Sequence, residues 1–192
     1  MLQLSIFLTN LGWFGLLREK QQFLRLTIGH ASADRIRMAI QTRDTGMTES
    51  HKFIESDWNP RLRSCLQKYA QGRNIDFDDV KVPLGQRSQF QQQVLAIART
   101  IKYGQTVTYG ELACLSGSPR AARAVGSVMA ANPFPIIVPC HRVVAFSGKI
   151  GGYSASQGVS LKARMLEIEA KNCSQKVIST IVVKNNLLRN CK

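Results

Sequence analysis

Residues 108–131 read Thr-Tyr-Gly-Glu-Leu-Ala-Cys-Leu-Ser-Gly-Ser-Pro-Arg-Ala-Ala-Arg-Ala-Val-Gly-Ser-Val-Met-Ala-Ala. Thr108 followed three residues later by Glu111 is a capping box, which opens a short helix through Leu115 that Gly117 closes. Ser118 and Pro119 offer the N-cap and first-turn chemistry of a second helix, predicted over 119–131. Two short helices joined through Gly117 and Ser118 have helix-turn-helix spacing. On the second helix Ala121, Val125 and Val128 can face inward, with Arg120 and Arg123 on the other side. Ala122, Ala124, Gly126, Ser127, Ala130 and Ala131 are small enough to let a nucleic-acid backbone come close, leaving the two arginines as the long groups. A packed helical hairpin with solvated arginines fits the same pattern, because a helix pair with glycine in its turn is a weak signal.

The next stretch, 132–144, reads Asn-Pro-Phe-Pro-Ile-Ile-Val-Pro-Cys-His-Arg-Val-Val. Asn132 before Pro133 ends the helix, since the residue preceding a proline is pushed out of helical geometry. The proline-studded apolar run is predicted to be extended over 133–138 and to deliver Cys140, with His141 and Arg142 beside it. Thiolate is the nucleophilic form of cysteine, and neighbouring His and Arg lower a thiol's pKa. In an extended chain Cys140 and His141 point opposite ways, so a relay between them needs a bend or a water. A buried inert cysteine is the plain alternative.

Upstream, the helix opened by the Ser88/Gln91 capping box carries Phe90, Val94, Ile97 and Ile101 on one stripe. A composition shift places a domain boundary near residue 85, with Asp76–Leu84 predicted as a strand leading into a linker at Pro83–Gln86. Pro60–Ala70 is a helix with Leu62, Leu66 and Tyr69 on one face, closed by Gly72, and Ser32–Gln41 is a shorter one. Residues 42–57 read as a loop, with His30 and His51 also in loops. Leu4–Leu8, Phe14–Leu17 and Phe23–Ile28 form an antiparallel meander. Downstream, Val159–Ala170 is an amphipathic helix with Leu161, Met165 and Ile168 inward, and 172–192 is a basic tail.

The chain has 192 residues, and 26 Lys+Arg against 12 Asp+Glu give a net charge of +14, which points to a polyanionic partner. The five cysteines are odd in number and lack tight metal spacing. Cys65 and Cys114 read as core thiols, and the whole set fits reduced thiols in a cytosolic or nuclear compartment. No run of 18 apolar residues exists, so no membrane span is expected, and Leu2–Leu17 lacks the basic start of a signal peptide.

Pro139-Cys140-His141-Arg142-Val143 after Asn132-Pro133 resembles the hallmark of the O6-alkylguanine-DNA alkyltransferases. Val107-Thr108-Tyr109-Gly110-Glu111-Leu112-Ala113, Ala121–Gly126 and Gly151-Gly152-Tyr153-Ser154 extend the resemblance over about residues 86–170. It implies an α/β (α+β) fold. An N-terminal antiparallel sheet with helices (ribonuclease-H-like, 1–85) precedes a C-terminal helical, winged-helix-like domain (86–171) that binds DNA and accepts the alkyl group. The implied partner is double-stranded DNA containing O6-alkylguanine. The chain would be a monomer, with no metal or organic cofactor, in the cytoplasm near the nucleoid, or in the nucleus of a eukaryote.

The resemblance also implies roles. Cys140 is the acceptor thiol, and His141 its base through a water. Glu169 orients His141; counting from Lys162 selects it, whereas counting from Cys140 selects Glu167. Asn132 shapes the turn before the cysteine. Tyr109 contacts the target phosphate and the guanine. Arg123 fills the vacated stack, with Arg120 and Ser127 also on the DNA side. Val143, Tyr153, Ser154, Met129 and Pro135 line the pocket. The thioether product cannot be hydrolysed, so one molecule acts once. A binding-only relative is disfavoured because those proteins replace the cysteine that is present here. A helix-turn-helix regulator is disfavoured by the Cys-His-Arg stretch, and a Cys-His hydrolase because no oxyanion loop or separate catalytic histidine is evident.

Overall fold

The structure, a computed structural model, describes residues 1–42, 53–85, 87–146 and 150–173. The first three strands alternate apolar and polar residues between tight turns. They form a meander of β1 (Leu2–Thr9), β2 (Gly12–Glu19) and β3 (Gln22–His30). Helix α1 (Ala33–Thr42) follows. A strand within the expected loop, β4 (Phe53–Glu55), pairs in parallel with β1, so the sheet order is β3-β2-β1-β4 and the sheet is mixed. Its three residues carry too short an alternation to be read from sequence. His30 ends β3 rather than sitting in a loop. His51, Gln86 and tail residues 174–192 lie outside the described residues; Asn172 and Cys173 belong to the last helix.

Helix α2 (Pro60–Ala70) starts as its sequence dictates, with Pro60 in the first turn and the Asn59 side chain accepting from the Leu62 amide at 3.0 Å. Helix α3 (Gln89–Arg99) carries both arms of the Ser88/Gln91 capping box. Between them, residues 76–84 form no strand. Their carbonyls instead turn around one guanidinium, with Arg99 Nη2 donating to Phe77, Asp78 and Val80 at 2.9, 3.0 and 2.7 Å.

The rest is helical apart from a two-residue parallel pair, β5 (Val107–Thr108) with β6 (Val143–Val144). Helix α4 (Tyr109–Leu115) follows β5, with both arms of the Thr108/Glu111 box formed. Helix α5 (Ala122–Ala130) starts three residues later than the predicted 119 and has no side-chain cap, because Ser118–Arg120 close a turn in which the Ala121 amide donates to Ser118 O. Helix α6 (Gly158–Cys173) completes the fold.

One apolar cluster joins Phe14, Leu16, Leu66 and Tyr69 to Val94, Leu112, Phe134 and Met165. A smaller one, Leu2, Leu4, Leu17, Ile36 and Ile40, fills the space under α1. Cys65 and Cys114, expected as core thiols, are only half-buried, and Cys114 is disulfide-bonded rather than a free thiol. Among the described residues no helix is long and apolar enough to cross a membrane.

Candidate active site

The segment before the cysteine is a compact loop, not the expected extended run. The Asn132 side chain spans it, with Nδ2 donating to Val138 O at 2.9 Å and Oδ1 accepting from the Phe134 amide at 3.0 Å. The Val138 amide closes onto Phe134 O at 2.8 Å, and Ile136 takes a left-handed φ of 72°. Edge strand β3 clamps the loop from outside, as the Leu26 amide donates to Pro133 O at 2.8 Å. Phe134, Ile136, Ile137 and Val138 are all buried, which no single-faced strand would permit.

Cys140–Arg142 is a single 3-10 turn, so the three side chains fan out instead of alternating. Cys140 is 6% exposed, and its Sγ lies 3.9 Å from the Tyr153 hydroxyl. It sits at the bottom of a cavity of about 310 Å³ lined by Tyr109, Gly126, Met129, Gly152, Tyr153 and Ser154. A second opening of about 430 Å³ reaches the same thiol past Asn132, Pro135 and the β3 residues Arg25 and His30. Burial pushes the thiol pKa up; Asn132, Tyr153 and Lys162 pull the other way without cancelling it. The resting thiol therefore keeps its proton and needs a base. The expected help from Arg142 does not materialise, because that guanidinium points to Glu169 and to Ile101 O, 2.6 Å away.

His141 is completely buried, and its Nε2 lies 2.8 Å from Glu169 Oε1. A carboxylate only accepts, so Nε2 carries the proton and Nδ1 is left with a lone pair. Among the described residues Nδ1 has no hydrogen-bond partner. Burial lowers the His141 pKa against the pull of Glu169, so the imidazole is neutral. Glu169 is 1% exposed. Burial alone would raise its pKa, but hydrogen bonds from His141 and Arg142 outweigh that and hold it at about 2. The Gly104 amide adds a further donor at 2.9 Å. Glu167, the competing choice, is exposed and pairs with Lys171 at 2.7 Å.

Tyr109 is brought to the site by the β5–β6 pair, which sets Val107 and Thr108 against Val143 and Val144. Its pKa is raised by burial and by Cys140. Ser154 Oγ donates to Ala130 O at 2.8 Å and braces the cavity mouth. Met129 lines the cavity, whereas the Val143 side chain is buried and its carbonyl accepts from Lys162 Nζ at 2.7 Å. Arg123 and Ser127 are exposed on α5, and Arg120 is exposed in the turn before it. A Cβ built at Gly126 would meet nothing within 4 Å, so this face of α5 is open.

Two site residues escape the sequence reading. Lys162 is fully buried, bonds Val143 O, and lies 5.7 Å above the Tyr109 ring; burial lowers its pKa to about 8. Tyr69, from α2, reaches Glu169 and His141. The signal available for Tyr69 was a hydroxyl on an apolar helix face, which needs a partner once buried.

A helix-turn-helix pair beside a buried, base-backed thiol defines a class of DNA-binding proteins with a reactive cysteine. Residues 89–171 match the family described as 6-O-methylguanine DNA methyltransferase, DNA binding domain. The methylated-DNA–protein-cysteine methyltransferase of Methanothermobacter thermautotrophicus is 38% identical over 137 residues, 66% of this chain and 75% of that protein. The human protein of that name is 46% identical over 88 residues, 45% of this chain and 42% of its own length. The crystal structure of Mycobacterium tuberculosis OGT in complex with DNA superposes with a TM-score of 0.69 at 31% identity, covering 88% of this chain and 94% of that one. The O6-methylguanine-DNA methyltransferase of Pyrococcus kodakaraensis superposes at 0.65 with 29% identity, covering 88% and 99%. The chain belongs to the methylated-DNA–protein-cysteine methyltransferase family.

Proposed function

We infer that this protein repairs O6-alkylguanine in double-stranded DNA by moving the alkyl group onto its own Cys140, once per molecule and as a monomer. The observation that carries the reading is the Cys140 sulfur at the bottom of an open cavity, with a neutral His141 and an ionised Glu169 behind it. A base inside a duplex is out of reach, so the nucleotide must be rotated out at a cost of about a few kcal/mol. Arg123, exposed on a helix of small residues, fills the vacated stack and offsets part of that cost. Arg120 and Ser127 flank it on the backbone side.

In the cavity the thiol proton passes through water to His141 Nδ1, and the Nε2 proton stays on the bond to Glu169. The sulfur–carbon bond forms as the carbon–O6 bond breaks, and that electron pair goes to O6. Tyr109 donates a hydrogen bond to the departing guanine, which is otherwise a poor leaving group. Asn132 holds the loop that presents the thiol, and Tyr153, Ser154, Met129, Pro135 and the Val143 backbone shape the walls.

The test is incubation with an oligonucleotide carrying O6-methylguanine labelled in the methyl group. One label per protein on Cys140, and none on Cys140→Ala, is the expected outcome. Sustained turnover, or label on the alanine variant, overturns the mechanism.

A further inference from the structure

Helix α2 lies 70 residues before the reactive turn, yet one of its side chains ends inside the base–carboxylate pair. Tyr69 is fully buried. Its hydroxyl donates to Glu169 Oε1 at 2.8 Å and lies 3.1 Å from His141 Nε2. Glu169 Oε1 is also the atom that accepts from His141 at 2.8 Å. The three polar atoms therefore form a closed triangle, with the Tyr69 and His141 protons directed at one oxygen that Arg142 also approaches, through Nη2 at 3.0 Å and Nε at 3.2 Å. The ring is held by edge contacts with Phe77, Tyr103 and His141, which fix the position of the hydroxyl oxygen.

We propose that Tyr69 is a positioning residue of the alkyl-transfer site, which sets the basicity of His141 by competing with it for Glu169 Oε1. A carboxylate oxygen that already accepts one strong hydrogen bond is a weaker acceptor for the next. With the tyrosine in place, the imidazolium formed during the reaction gains less from Glu169, and the resting imidazole stays neutral to lower pH. Neutral imidazole is the form that accepts the thiol proton. The N-terminal half of the chain thereby contributes a tuning group to the reaction as well as a scaffold.

The charged and titratable groups packed around this triangle come from each neighbouring element. Tyr103 comes from the loop after α3, Cys140 and Arg142 from the 3-10 turn, and Lys162 with Glu169 from α6. Arg142 and Glu169 are tied to each other, and Lys162 is held by Val143 O, so Tyr69 is the neutral donor whose removal changes the load on Oε1 without changing charge.

The inference rests on the alkyl-transfer reading and is tested with Tyr69→Phe, which keeps the ring and removes the hydroxyl. The rate of Cys140 alkylation by free O6-benzylguanine is followed against pH, and the His141 pKa is read separately by NMR of histidine-labelled protein. Loss of the hydroxyl raises the His141 pKa, so the acid limb of the rate profile moves up by about half a pH unit or more. A half-unit shift slows the reaction about threefold on the limb and leaves the plateau within about twofold. Site-specific 3-fluorotyrosine at position 69 is a stronger donor and moves the limb down, and it serves if the phenylalanine variant folds poorly. A uniform loss of rate with an unmoved limb and an unmoved His141 pKa overturns the proposal. Absence of labelling in the unsubstituted protein would instead overturn the alkyl-transfer reading itself.

Discussion

Glu169 shows how much of a site one buried charge can hold. Its carboxylate accepts from His141, Tyr69, Arg142 and Gly104, which outweigh the burial that would otherwise neutralise it. Glu169→Gln removes the counter-charge of a buried Arg142, and breaking such a pair costs about 3–5 kcal/mol. The sign of the pH effect follows from a folded pKa of about 2 against an ordinary value of 4.5. A depressed carboxylate pKa contributes stability that is fully present above the unfolded value and is lost as pH falls through the folded one. Thermal melts between pH 6 and pH 2.5 should therefore fall more steeply for the native protein than for Glu169→Gln, whose melting temperature starts lower; parallel curves would show that the Glu169 pKa is the same in the folded and the unfolded chain. The resemblance favoured this glutamate through its step of seven residues from Lys162, and on α6 it follows Leu161 and Met165 at intervals of four, all three being buried. Nothing local marked Lys162 as buried, because its partner, Val143 O, lies 19 residues away.

Most elements whose ends are made by their own residues were legible, the Ser118–Pro119 start of α5 excepted, and those made by distant partners were not. Both capping boxes and the Asn59–Pro60 start formed where the sequence put them. The loop 133–138 and the segment 76–84 were misread because their shapes depend on Leu26, Asn132 and Arg99, which no periodicity within the segment reveals. The two capping boxes also separate stability from function. Ser88→Ala and Thr108→Ala each lose an N-cap and should each cost about 1 kcal/mol. The Thr108 box, however, opens the helix whose first residue is Tyr109, which lines the cavity. Thr108→Ala should slow benzyl transfer several-fold, and Ser88→Ala should leave it unchanged at matched stability, as followed by single-turnover labelling and thermal melts. Equal rates for the two would mean that Tyr109 is held by its packing against Gly151 and Lys162 rather than by the cap.

For the whole molecule the relevant quantity is the charge of +14 set against a reaction that occurs in a small, largely apolar cavity. These two features act on different steps, so they respond to different variables. Affinity for duplex falls with salt with a logarithmic slope of about −0.9 for each phosphate neutralised, because bound counterions are released. Alkyl transfer from free O6-benzylguanine involves no phosphate and should be nearly salt-independent. Arg123→Ala should weaken repair in duplex at least about tenfold if, as proposed, it removes both a cation and the side chain that fills the stack, an effect of more than about 1.4 kcal/mol. The same variant should react with the free base at the native rate, because Arg123 is exposed on α5 and does not line the cavity that holds Cys140. Raising the salt should slow native protein and variant in parallel on duplex if the arginine acts mainly by occupying the stack. If its charge dominates, the variant's slope becomes shallower by about one unit. Equal losses on duplex and on free base would place Arg123 in the chemistry of the cavity instead and remove it from the DNA-facing surface.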